Sequence, residues 1–70
     1  MTKFEAIIAM AKGHKVRHRF FAPGEFIRIG VNNNNAPALM DENQGEFNWD
    51  NFWGDRTSPD WDNDWEIHKG

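Results

Sequence analysis

Three arginines in the first half of the chain and four tryptophans in the second half are the side chains best suited to bind a ligand. Arg17, Arg19 and Arg28 carry planar, always charged groups that bind phosphate oxygens in a bidentate manner. All four tryptophans lie in the segment WDNFWGDRTSPDWDNDW, residues 49–65. Aromatic faces stack on nucleobases without regard to sequence. Together these residue types are the components of a nucleotide pocket.

We expect the aromatic residues to divide between core and pocket. Trp65 and Trp49 are predicted to be core residues, whereas Trp53, Trp61 and the Phe20–Phe21 pair are candidates for a stacking wall. Asn34 and Asp60 would contact polar edges of the ligand. The predicted ligand-binding residues are Arg17, Arg19, Phe21, Arg28, Asn34, Trp53, Asp60 and Trp61.

The charge distribution leaves a second interpretation of the arginines open. Residues 1–31 contain six Lys/Arg and two Glu, a net charge of +4, and residues 32–70 contain two Lys/Arg and nine Asp/Glu, a net charge of -7. The arginines could therefore simply pair with the acidic half of the chain. An overall net charge of -3 argues against a general nucleic-acid coat, so direct nucleic-acid binding is not expected.

The near repeat WDNFW and WDNDW does not predict a repeat fold, because two short units cannot form a solenoid.

Three aspartates alternate as in a calcium loop, Asp60, Asp62 and Asp64, but Trp65 occupies the position that requires glycine. His14 and His18 would lie about 13 Å apart on a strand, too far to share one ion. We predict no metal site.

The sequence offers no catalytic constellation. There is no cysteine, no serine or threonine in a nucleophile motif, and no carboxylate pair that stands out from the acidic background. We therefore predict a protein that is not an enzyme and needs no cofactor.

The N-terminus predicts one helix. Thr2 and Glu5 form a capping box, and Gly13 can end the helix in the left-handed conformation. The apolar stripe predicted to face the core is Phe4, Ile7, Ile8 and Ala11.

A β-hairpin follows the helix. Residues 14–21 and 26–31 alternate, and Ala22-Pro23-Gly24-Glu25 predicts a type II turn between them. Ile27, Ile29 and Val31 would face the helix, and Arg28 would lie on the opposite face with part of the Lys15, Arg17 and Arg19 set.

The rest of the chain predicts three short strands and a loop. The strands are residues 37–40, 46–49 and 64–68, and residues 50–63 would be loop with one helical turn. The fold class is therefore α+β, with one N-terminal helix packed on a small antiparallel β-sheet in a single domain, residues 1–70. A chain of this size without disulfides is marginally stable, so dense aromatic packing and a partner subunit are expected.

The order of the motifs resembles the Thoeris anti-defence sponge family of small phage proteins. The stretches that carry the resemblance are FEAIIAMAKGHKV, RHRFF, PGEFIRI and the terminal DWEI. Two departures stand out: Phe20-Phe21 replaces a tryptophan that the family usually has, and the segment 32–60 is unlike the usual one.

The resemblance implies a homo-oligomer, a dimer or a tetramer built from dimers, that is not an enzyme. It would bind a cyclic nucleotide signal of bacterial immunity, such as a cyclic ADP-ribose isomer or a cyclic dinucleotide, and withhold it from its effector. The residues that match the motifs are Arg17, Arg19, Phe21, Asp64, Trp65 and Glu66.

A different class of function also fits the sequence. The acidic, Trp-rich half could block a host protein, even as a mimic of DNA. For either function, no apolar run of transmembrane length and no signal peptide is apparent, so we expect no membrane association and a cytoplasmic location, in the host cell if the protein is phage-encoded.

Overall fold

The computed structural model describes residues 1–69 and has one helix packed on a five-stranded antiparallel sheet, which confirms the predicted α+β class. The strands run in the order β4-β3-β2-β1-β5. The elements are α1 Lys3–Ala11, β1 Val16–His18, β2 Ile27–Val31, β3 Pro37–Asp41, β4 Glu46–Phe47, the short helix α2 Trp49–Gly54, a 3-10 turn Pro59–Trp61, and β5 Trp65–Ile67.

Both ends of α1 form as predicted. The hydroxyl of Thr2 accepts a hydrogen bond from the Glu5 N–H at 3.1 Å, and the Glu5 carboxylate accepts one from the Thr2 N–H at 2.8 Å. Gly13 adopts φ +95° and its N–H donates to the carbonyl of Met10 at 2.9 Å. The helix therefore stops where a residue without a side chain permits positive φ.

The predicted apolar stripe of α1 is wrong. Of its members only Ile7 packs against the core, whereas Phe4 is 74% exposed and Ile8 is 55% exposed. Ala11 is exposed as well. The side that faces the sheet is the one with two small residues, which let the helix backbone approach the strands closely; it consists of Ala6, Ala9 and Met10.

The hairpin is shorter than predicted. Its type II turn forms, with Gly24 at φ +84°, but β1 ends at His18 because the chain turns there and the Phe21 N–H donates to the His18 carbonyl at 2.9 Å. Val16 and Ile27 are the aligned pair of β1 and β2. Because of this turn, the alternation of side chains between the two faces of the strand ends at His18 and does not continue to Phe21 as predicted.

The inner face of β2 follows the prediction only at its start. Ile27 is buried and Ile29 is half-buried, but Val31 is 62% exposed. Because α1 packs on β5, β1 and β2, and Val31 pairs with Pro37 at the end of its strand, the helix does not cover this position.

The segment after β3 differs most from the prediction. The strand β3 and the final strand β5 form as expected, but β4 ends at Phe47. The side chain of Asn48 accepts a hydrogen bond from the Asn51 N–H at 3.0 Å, which begins α2. Trp49 therefore opens a helix, 40% exposed, and is neither a strand residue nor the core residue that was predicted.

The core lies between the sheet and the two helices and is largely aromatic. Trp65, predicted to be core, is 1% exposed, and its indole N–H donates to the Trp61 carbonyl at 2.8 Å. The other buried apolar residues are Ala6, Ala9, Met10, Val16, Phe21, Ile27, Leu39, Phe52 and Trp53.

Candidate functional site

Two of the four stretches that carry the resemblance, RHRFF and DWEI, meet on neighbouring strands. β1 pairs with β5 in a register that aligns Arg17 with Glu66. The guanidinium of Arg17 lies 2.6 Å from the Glu66 carboxylate, and the Nε of Arg19 lies 3.5 Å from the Asp64 carboxylate. The basic and acidic halves of the chain thus pair here, as the second interpretation of the arginines predicts.

These charged side chains line an open hollow at the edge of the sheet. Its volume is about 500 Å³, which falls in the range of small-molecule sites. The lining residues are Met1, Arg17, Arg19, Asp64, Trp65 and Glu66. The hollow therefore presents two guanidinium groups and two carboxylates, which suits a ligand with both anionic and hydrogen-bond donor groups.

The two arginines are held to different degrees. Arg17 is one quarter exposed and also donates to the Phe21 carbonyl at 3.3 Å, so its geometry is fixed from two sides. The Arg19 side chain is 57% exposed, and its longer contact with the half-exposed Asp64 is weak and screened by solvent. Arg19 is therefore the cation that can reorient toward an anion.

Beside Arg19, the exposed aromatic ring is Phe20 rather than Phe21. The Arg19 guanidinium lies 4.9 Å from the centre of the Phe20 ring, and Phe20 is 52% exposed. Phe21, predicted to stack on a ligand, is buried against Trp65 and is unavailable. The turn after His18 is the cause, since it sends Phe21 inward.

The stacking role predicted for Trp53 is also wrong. Trp53 is 7% exposed, with its ring 5.4 Å from that of Trp65 and 4.9 Å from that of Phe52. It is buried because α2 carries it over the sheet; one helical turn was predicted within residues 50–63, but not its position.

Trp61 is half-buried and belongs to a structural cluster around His18. The His18 ring is completely buried and lies 4.3 Å from the ring of Trp61. Its Nε2 is 2.9 Å from the Asp60 carbonyl and 2.8 Å from the Asn63 carbonyl, while Nδ1 accepts from the Phe20 N–H at 3.1 Å. This pattern fits the neutral ring with its proton on Nε2. His18 therefore ties β1 to the loop that precedes β5.

Arg56 is a residue that the sequence analysis missed. Its guanidinium lies 3.9 Å from the centre of the Phe52 ring and 5.0 Å from that of Trp61, and it donates to the Phe52 carbonyl at 3.0 Å. The arginine thus closes the outer side of the aromatic core. Its position between WDNFW and WDNDW was the only signal in the sequence.

The predicted arginines and tryptophans lie on opposite faces of the sheet. Successive strand residues point to opposite sides, so buried Val16, His18 and Ile27 place Arg17 and Arg28 on the outer face. Trp53 and Trp61 are on the inner face with the helices. Within one chain, Trp53 and Trp61 therefore do not share the hollow of Arg17 and Arg19, and Trp65 is the tryptophan that lines it.

The two polar residues of the predicted site are apart from the hollow as well. Asn34 lies in the loop between β2 and β3, at the far end of β2 from the Pro23–Gly24 turn, and its N–H donates to the Asn32 side chain at 2.9 Å. Asp60 is the middle residue of the 3-10 turn and has an exposed side chain; its backbone carbonyl contacts His18. Neither residue lines the hollow of Arg17 and Arg19.

Two further observations describe the part of the chain from Met1 to Lys69. No three carboxylate or imidazole side chains gather there as they would around a metal ion. Neither helix has the length and apolar character that a membrane span requires.

Comparison of the chain with known protein families, with curated proteins and with solved structures finds no match. The geometry of the chain itself is therefore the basis for a functional proposal.

Proposed function

We propose that this protein is a non-enzymatic sponge that binds a cyclic nucleotide signal and withholds it from its receptor. The observation that carries the proposal is the convergence of Arg17 and Arg19 with Asp64 and Glu66 on one open hollow. These residues belong to RHRFF and DWEI, two of the four stretches that carry the resemblance to the Thoeris anti-defence sponge family. The ligand would be a cyclic ADP-ribose isomer or a cyclic dinucleotide, bound in the cytoplasm of an infected cell.

In this proposal Arg19 is the primary contact with phosphate. Its guanidinium is half-exposed and only loosely paired, so exchange of Asp64 for a phosphate costs little. Arg17 keeps its contacts with Glu66 and the Phe21 carbonyl and orients the hollow. The Phe20 ring next to Arg19 does not line the hollow and packs on the rings of His18 and Trp61, but it is 52% exposed and would stack on a base that extends beyond the hollow.

A homo-oligomer is part of the proposal. The hollow is shallow and open, and small-molecule sites of high affinity bury most of the ligand surface. A second subunit would provide the missing walls. Sequestration needs affinity without turnover, so the ligand would be released chemically intact.

The test is depletion of ligand from solution. Purified protein is incubated with a panel of cyclic ADP-ribose isomers and cyclic dinucleotides, removed by ultrafiltration, and denatured by heat to release what it holds. We expect one ligand to disappear from the filtrate and to reappear unchanged after heating. If the wild-type protein depletes no member of the panel, the proposal is wrong.

Matched variants locate the site. Arg19→Ala should weaken ligand binding by about tenfold, the size of one lost charged hydrogen bond. Arg28→Ala is the control, because it removes a guanidinium from the same sheet face at a position that does not line the hollow. Equal losses in both variants would indicate a nonspecific charge effect and would contradict this site.

A second candidate function, inhibition of a host protein, is favoured by one feature of the surface. The side chains of Asp50, Asp55, Asp60 and Asp62 are exposed along α2 and the 3-10 turn, and Trp49 is 40% exposed beside them. An acidic surface with an exposed indole suits a basic protein partner, including one that normally binds DNA. Retention of a single host protein on immobilised chain, lost in Trp49→Ala and with no nucleotide depletion, would favour this function over the sponge.

A further inference from the structure

An apolar patch remains uncovered where α1 meets the edge strand β5. We define the α1–β5 patch as the exposed apolar residues Met1, Phe4, Ile8 and Ile67. Phe4 and Ile8 are one helical turn apart and are 74% and 55% exposed, and Met1 and Ile67 are each 38% exposed. A helix with large apolar residues on its solvent side is unusual for a monomer of this size.

The patch contains a hollow with charged residues at its rim. The hollow lies between α1 and β5 and has a volume of about 360 Å³. Met1, Ile8, Ala9 and Ile67 form its apolar surface, and Glu5, Lys12 and His14 complete the lining. A side chain of moderate size could therefore enter it without displacing a charged group.

The size of the patch fits the centre of a protein interface. At their exposed fractions the four side chains present roughly 400 Å² of surface, about half of the area that each partner buries in a standard interface. Interfaces have an apolar centre and a polar rim, and the charged residues around the hollow would supply the remainder.

The charged residues at the rim of one copy are complementary to those of a second copy. Glu5 and Lys12 lie on either side of Ile8 along the same helix. If two copies of α1 cross in antiparallel orientation about a two-fold axis near Ile8, Glu5 of each copy faces Lys12 of the other. Such an isologous contact makes each ion pair twice and places no like charges opposite each other.

We propose that the α1–β5 patch binds a second copy of this chain, with α1 packed antiparallel on α1 around Ile8. This interface does not depend on a nucleotide ligand and extends the proposed function by assigning a surface to the oligomer. Met1 lines both this patch and the hollow of Arg17 and Arg19, so the second copy would lie next to that hollow.

Sedimentation equilibrium of the full chain without ligand tests the interface. We expect the wild-type protein to form a dimer and Ile8→Glu to raise the dimer dissociation constant by about 30-fold, the effect of one interface hot spot. Val31→Glu is the matched control, since Val31 is a branched apolar residue of similar exposure, 62%, on β2 and outside the patch. Its dissociation constant should equal that of the wild type.

A charge reversal tests the orientation. Lys12→Glu should weaken the dimer because it faces Glu5 of the other copy, whereas Lys12→Arg, which keeps the charge and leaves the Glu5 cap intact, should not. A wild-type monomer at all concentrations, a dimer unchanged by Ile8→Glu, or equal weakening by Val31→Glu would each overturn the proposal. Ligand depletion measured on the same variants separates the two inferences: a nucleotide-binding monomer would refute the interface and the shared-subunit site but not sequestration, and a dimer that depletes no nucleotide would refute the sponge alone.

Discussion

The two faces of the sheet carry side chains that could each bind a ligand, but only those on the outer face are open to solvent. On the inner face, His18, Trp53 and Trp65 are buried, and the polar atoms of His18 and Trp65 are hydrogen-bonded to backbone groups. On the outer face, Arg17 and Glu66 form an ion pair that is partly open to solvent. A small chain without disulfides needs its large rings for stability, which leaves the charged face for the proposed ligand.

The largest expected effect of a substitution on the free energy of unfolding is at Trp65, on the inner face. Trp65→Ala should lower the free energy of unfolding by about 4 kcal/mol, because it leaves a large cavity in the core. That is comparable to the whole stability of a domain of this size. Trp49→Ala, which removes the same side chain from a site that is 40% exposed, should cost less than about 1.5 kcal/mol. Urea denaturation measures both, and similar losses would contradict the division of the tryptophans into core and surface residues.

The next largest effect is expected at His18. His18→Ala should cost about 2–3 kcal/mol, since it removes the donor for the Asp60 and Asn63 carbonyls and the acceptor for the Phe20 N–H. His14→Ala, at an exposed position, should change stability by less than about 0.5 kcal/mol. Amide hydrogen exchange in residues 59–64 should rise in His18→Ala; unchanged protection there would show that His18 does not hold the loop.

On the outer face the effects on stability should be small and unequal. Arg17→Ala should cost about 1 kcal/mol, because it breaks the pair with Glu66 and the bond to the Phe21 carbonyl. Arg19→Ala should cost less than about 0.5 kcal/mol, since its contact with Asp64 is long and exposed. Thermal or urea unfolding distinguishes them, and a larger loss for Arg19 would mean that it is the structural member of the two.

The smallest effect concerns the N-terminal cap of α1. Hydrogen bonds from the backbone N–H and the side chain of Thr2 hold the pKa of Glu5 below its usual value. A carboxyl whose pKa is depressed in the folded state contributes stability above its unfolded pKa and loses it as the pH falls through the folded value. Protection of the first turn of α1 from hydrogen exchange should therefore decline in acid, below the usual pKa of a glutamate. Glu5→Gln, which can keep the cap, should abolish that pH dependence; an identical decline would exclude Glu5 as its cause.

Local signals in the sequence predict much of the fold. The capping box of Thr2 and Glu5, the Pro23–Gly24 turn and the final strand are each encoded within a few neighbouring residues. The inward side of α1 was not predictable in the same way, because residues 6–11 are all apolar and only the small volume of Ala6 and Ala9 selects the side.

The site was less predictable because it depends on contacts distant in sequence. Arg17 and Glu66 meet only through the pairing of β1 with β5, 49 residues apart, and no local pattern specifies that register. The burial of Trp53 follows from α2, whose start at the Asn48 cap is a weak signal within an acidic loop. Phe20 and Phe21 exchanged roles because a single turn after His18 breaks the strand alternation.

A titration with the depleted nucleotide, followed by the NMR chemical shifts of the backbone amides and the indole N–H groups, is the most direct test of whether ligand binds the charged outer face. We expect the perturbed amides to cluster at Arg17, Arg19 and residues 64–66, with the indole N–H of Trp53 unchanged. Shifts centred on Trp53 and α2, with none at Arg19, would contradict the assignment of binding to the outer face and of Trp53 to the core.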